Sequence, residues 1–180
     1  REEVIEKDAN ISFSPGDVRP QIRERWRTWI ADKTNAEHPV FGPWHRLAAL
    51  PAGDFATAAQ PLVAEIANAE SEIGKGVNPM VRAAFARGPV VTMSDVATRY
   101  GEMLAAVYKQ WKDLQATHVE ALAQSAAANA ENAGAAEQPT APTALADAAA
   151  EEVRQVLFAE ETPTIFSQDD LPWLFERTAF

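Results

Sequence analysis

Residues Ser94 to Ala126 read SDVATRYGEMLAAVYKQWKDLQATHVEALAQSA, and this stretch decides the fold. Ala97, Tyr100, Leu104, Val107, Trp111, Leu114, His118 and Ala121 recur at alternating steps of three and four. That is a 3.5-residue period held for more than three heptads, the seam of a long helix packed on others. Ser94 is placed as N-cap, and Asp95 puts negative charge in the first turn, where the helix dipole favours it. Such a helix, over about 94–126, runs roughly 50 Å at ~1.5 Å per residue. Its polar flank carries Arg99, Glu102, Lys109, Lys112 and Asp113, so one stripe seeks burial.

Shorter helical patterns surround it. Asp17 can cap a helix to about Lys33 with Pro20 in its first turn, where proline is tolerated; its apolar positions are Ile22, Trp26, Trp29 and Ile30. Asn35 to Pro43 reads as a loop, and Trp44 to Leu50 as a short helix stopped by Pro51. Asp54 is placed as cap of a helix bearing Phe55, Leu62, Val63 and Ile66, with Pro61 as a kink or restart. Asn78-Pro79 opens a further helix, with Asn as N-cap and Pro at the first helical position. Met80, Val81, Ala84 and Phe85 are its apolar positions, and Gly88-Pro89 closes it. Val90 to Met93 reads as an extended lead-in to the long helix. Alanine then dominates, and about 127–142 reads as a low-complexity linker. Thr143 is placed as cap of a helix carrying Leu145, Ala149, Val153, Val156 and Leu157. Asp169-Asp170 precedes a last apolar turn at Leu171, Trp173, Leu174 and Phe175. Strand signals are nearly absent, so the expected fold class is all-α: a helical bundle of one long central helix and several short ones, forming a single region over residues 1–180.

Composition bounds the function. The formal charge of −10, from 26 acids and 16 bases, argues against nucleic acid or an anionic membrane surface as partner. No apolar run approaches the ~18 residues of a membrane span. There is no cysteine, which excludes disulfides and thiolate chemistry. The chain opens at Arg1 without methionine and closes at Phe180 within a helical pattern, which reads as a region excised from a larger multidomain protein.

Candidate chemistry is sparse. His38, His45 and His118 are the histidines; prolines and a glycine lie between the first two, so no metal site and no cofactor are expected. Asp8-x-Asn10-x-Ser12 lacks the glycine and the final acid of a calcium loop, having Phe13 and Arg19 there. Neighbouring acids such as Glu151-Glu152 diverge on a helix and read as solvated charge. Arg19, Arg23 and Arg27 line up beside Trp26, a pattern that can serve a phosphate or a sugar but reads first as a solvated face flanking a Trp-rich core stripe. No nucleophile–base or acid–base set assembles, so no enzyme is expected. The stretch HPVFGPWHRLAALP, His38 to Pro51, is the most distinctive: Pro39 and Pro43 fix two φ angles and place Trp44 and His45 at a helix start. His38, Trp44 and His45 are therefore the candidate binding residues, to be set against a corner that plugs the bundle end.

That stretch, followed in order by NPMVRAAF (Asn78 to Phe85), MSDVATRYGEML (Met93 to Leu104) and EEVRQVLF (Glu151 to Phe158), resembles the middle helical region of the large planctomycetal secreted proteins that combine a cytochrome-c-like domain with two domains of unknown function. The resemblance spans most of the chain from Ile22 onward, and the chain departs from it after Phe158. It implies an exported protein, periplasmic or at the cell surface. The haem motif of such proteins lies elsewhere in them and is not implied here. The leading expectation is a non-catalytic scaffold or spacer whose partners are the flanking domains. The alternative is a module that binds a polysaccharide or an envelope protein.

Overall fold

Six α-helices organise the chain in a computed structural model that describes residues 20–32, 36–131 and 138–158. They are α1 (Pro20–Ala31), α2 (Gly42–Ala48), α3 (Phe55–Ala67), α4 (Pro79–Phe85), α5 (Met93–Glu131) and α6 (Ala148–Phe158). No strand occurs among the described residues, and the protein is all-α with α5 as its long central helix. The expected cap at Asp17 and the last apolar turn at Asp169 to Phe175 lie outside the described residues.

Helix α5 has 39 residues, about 58 Å at ~1.5 Å each, and both ends depart from expectation. Its N-cap is Thr92 and not Ser94. The Thr92 hydroxyl oxygen accepts from Asp95 N–H at 3.2 Å, while the Asp95 carboxylate accepts from Thr92 N–H at 2.8 Å, a reciprocal capping box. At the other end the helix passes Ala126 and takes in 127–131, five positions expected to be linker. Low complexity does not end a helix; glycine and proline do, and alanine is the best helix former. Of the rest of that linker, 138–142 has no regular structure and 132–137 lies outside the described residues.

The seam of α5 starts one residue earlier than expected. Val96, Tyr100, Met103, Val107 and Trp111 are buried, Leu104 and Leu114 are half-buried, and Ala97 is exposed. Arg99 does not belong to the solvated flank either. Its guanidinium donates to the carbonyls of Ala84, Phe85, Gly88 and Pro89 at 2.8–3.1 Å. It thereby satisfies the free carbonyls at the end of α4.

Helix α4 begins as predicted, with the Asn78 side chain accepting from Met80 N–H at 2.8 Å and Pro79 first in the helix. The Asp54 side chain makes no cap bond to α3. Pro61 sits inside an unbroken α3, on the exposed side. Helix α6 is capped by Asp147 and not Thr143: Asp147 Oδ1 accepts from Ala150 N–H at 2.7 Å. Its buried face is Ala150, Val153 and Val156. These residues join Val40, Phe41, Leu47, Phe55, Val63, Ile66, Val81, Phe85 and the α5 seam in one core. Helices α2, α4 and α6 all touch α5.

Candidate functional site

Tyr100 is the hub around which His38 to Ala48 is arranged. Its phenol donates to the Val40 carbonyl at 2.5 Å. Burial pushes the phenol pKa far above its ordinary 10, so it stays a neutral donor. Phe41 stacks on the Tyr100 ring at 5.4 Å, while Trp44 and Phe85 meet it edge-on at 5.6 and 6.0 Å. Trp29 meets Phe41 edge-on at 5.0 Å and Trp26 at 5.7 Å. A run of rings thus ties α1 to α5 through this corner.

The three candidate residues have different fates. His38 turns inward: its Nδ1 accepts from Val40 N–H at 3.1 Å, and burial holds its pKa below the ordinary 6.5 against the nearby Glu152 charge. Both facts describe a neutral imidazole fixing a tight turn. Trp44 is half-buried, neither the full plug nor the open shelf. His45 is half-buried, and its Nε2 is enclosed without a hydrogen-bond partner in the protein.

No anion site is built at the start of α2. Pro43 has no N–H, Gly42 N–H donates to the His38 carbonyl at 2.7 Å, and His45 N–H to the Phe41 carbonyl at 3.1 Å. These amide donors serve the protein itself.

What remains open is an aromatic groove between α1 and α2. Arg23, Trp26, Arg27 and Ile30 on one side face Trp44 and His45 on the other, across a cavity of about 470 Å³. Arg27 pairs with Glu24 at 3.3 Å, both side chains exposed; Arg19 lies outside the described residues. No acid is among the described residues lining the groove. Helical spacing announced the Arg23–Arg27 row beside Trp26, but nothing in the sequence announced that Trp44 and His45 would face it. His118 is half-buried, beside Ala141 and Pro142 in a second groove of about 430 Å³.

Two polar clusters escaped the sequence reading. Asn78, the buried polar residue of the core, donates to the Ala149 carbonyl at 2.9 Å and to Glu152 at 2.7 Å. Arg154 makes a bidentate pair with Glu151 at 2.6 and 2.7 Å and lies 4.4 Å over the Trp111 ring. Its hydrogen bonds pull Glu151 down to about 2. Among the described residues no group of three metal-ligating side chains converges, and no helix is long and apolar enough to cross a membrane.

No family model, no curated protein and no solved structure matches this chain.

Proposed function

We propose that this chain is a non-catalytic helical scaffold that holds parts of a larger protein at a fixed separation, with α5 as the spine. One observation carries the reading. Helices α2, α4 and α6 pack on α5, and the buried seam of α5 ends at Trp111. The helix then continues from Lys112 to Glu131, about 30 Å at ~1.5 Å per residue, with no fully buried side chain among those described. A rod that outruns its own core is suited to spacing. The side chains of Tyr100, Arg99 and Asn78 are all engaged in joining its segments.

The parent protein we propose is the exported planctomycetal multidomain protein that the segments His38–Pro51, Asn78–Phe85, Met93–Leu104 and Glu151–Phe158 resemble, with its flanking domains as partners. Because the chain has no cysteine, spin labels can be placed uniquely at Thr98→Cys and Ala127→Cys. A scaffold gives one narrow distance near 43 Å, from 29 steps of ~1.5 Å. A broad distribution centred well below that removes the spine.

A second reading, a module binding a polysaccharide or an envelope partner, is favoured by the Trp26–Trp44 groove. Retention of the chain on such a fraction, lost in His45→Ala at unchanged thermal stability, is its expected signature. An unmodified chain that passes through unretained ends it.

A further inference from the structure

We infer that the groove between α1 and α2 is a site for an acidic saccharide, its carboxylates held by Arg23 and Arg27 and its sugar faces by Trp26 and Trp44. This rests on the second reading above and gives it a ligand class.

The argument starts from charge. The chain carries a net −10, yet the titratable side chains lining this groove are Arg23, Arg27 and His45. An anion is drawn here and repelled from the surface at large. Arg23 and Arg27 are four residues apart on α1, which puts them side by side on one face. Their planar guanidinium groups match carboxylates with two parallel hydrogen bonds each. Among the described residues Arg27 pairs with Glu24 on the exposed surface, and exposed pairs of this kind contribute little.

The rest of the lining sets the remainder of the ligand. Two indoles and Ile30 offer apolar surface, which suits the C–H faces of a pyranose. Pairing these faces with cations excludes a purely apolar ligand. His45 closes the α2 side of the groove, its Nε2 enclosed within the protein and out of reach of a bound ligand. Neither ring is free to close on the ligand: Trp44 is held against Tyr100 and Trp26 against Trp29. The site is therefore a fixed platform.

Titration calorimetry of the intact chain with trigalacturonate, and with its neutral counterpart galactotriose, tests this. The acidic trisaccharide is expected to bind at least about tenfold more tightly, the loss of one charge-assisted contact, and to weaken as salt rises. The double variant Arg23→Gln/Arg27→Gln lies on an exposed surface and is expected to keep its thermal stability while losing that preference. Equal binding of the two saccharides, abolished by Trp26→Ala but untouched by the arginine variant, overturns the acidic class and leaves a saccharide module standing. No binding of either ligand at millimolar concentration overturns the inference and the module reading together.

Discussion

Asn78 and Glu152 meet at 2.7 Å, the Asn78 Nδ2 donating to the Glu152 Oε2 across 74 residues of chain. The same amide nitrogen donates to the Ala149 carbonyl, and the amide oxygen caps α4. One side chain, 1% exposed, therefore starts one helix and fastens another.

Two substitutions separate those roles. Asn78→Ala removes the cap, worth about 1 kcal/mol, and strands the Ala149 carbonyl and Glu152, at about 1–3 kcal/mol for an unsatisfied buried group. Asn78→Asp retains the capping oxygen but sets a carboxylate against Glu152. Urea denaturation near neutral pH should rank Asp as damaging as Ala or more so. An Asp variant of near wild-type stability would show that the α6 contact contributes nothing.

Trp111→Ala should cost about 3–5 kcal/mol, the usual range for a buried ring. Trp111 is the last buried residue of the seam and carries Arg154 at 4.4 Å and Phe158 at 6.4 Å. Its loss also removes the surface on which the Glu151–Arg154 pair rests. A loss below about 1 kcal/mol in the same denaturation, the range of ordinary surface substitutions, would place Trp111 outside the core.

Glycines make opposite predictions at two positions. Gly101 is exposed inside α5 with nothing within 4 Å of an added Cβ, so Gly101→Ala should raise stability by up to about 1 kcal/mol. At Gly74 the added Cβ would stand 1.8 Å from the Asn68 carbonyl oxygen and 2.9 Å from that of Glu65. Backbone there must move, and Gly74→Ala should lower Tm. The two Tm shifts are expected to have opposite signs.

How far the sequence announced this molecule depends on the range of each interaction. The Asn78-Pro79 start was legible because a cap and its helix are neighbours in the chain. The α5 seam was legible in period and off by one in phase at its start: 3.5 and 3.6 residues per turn differ by about 20° per heptad, and only the partner fixes which residue faces inward. Thr92 and Ser94 are both good caps, and what chose Thr92 was its reciprocal bond with Asp95. The Asn78–Glu152 contact and the four carbonyls under Arg99 had no local signal, since a long-range pair leaves no periodicity. The candidate trio came apart for the same reason. His38 was drawn into a turn, while Trp44 and His45 came to line a groove only through Trp26, on a helix separated from them by a loop.

Acid should unfold the protein in two windows. His38 has its pKa lowered from 6.5 by burial, so just below pH 6.5 the unfolded chain binds a proton that the folded chain refuses. Stability is then full above pH 6.5 and falls as pH drops toward the lowered value. Glu151, pulled from 4.5 down to about 2, adds stability that is present above pH 4.5 and lost as pH falls toward 2. Tm measured from pH 8 to pH 3 should show both declines, and His38→Ala should erase the first alone. A first decline that survives in His38→Ala belongs to another group.

Tyr100→Phe is the sharpest test of the corner that shapes the candidate site. The ring contacts with Phe41, Trp44 and Phe85 are kept, so any effect reports the hydroxyl. Without it the Val40 carbonyl loses its donor beneath a buried ring. Leaving such a group unsatisfied costs about 1–3 kcal/mol, more than a deleted hydroxyl on a surface ring would. Because that hydroxyl anchors the ring on which Trp44 rests edge-on, the indole should also gain freedom. Trigalacturonate binding should therefore weaken in Tyr100→Phe although the residue lines no part of the groove. Unchanged affinity with lowered stability would mean that the edge contact alone positions Trp44. Unchanged stability would mean that water replaces the phenol, and the hub assigned to Tyr100 would be packing alone.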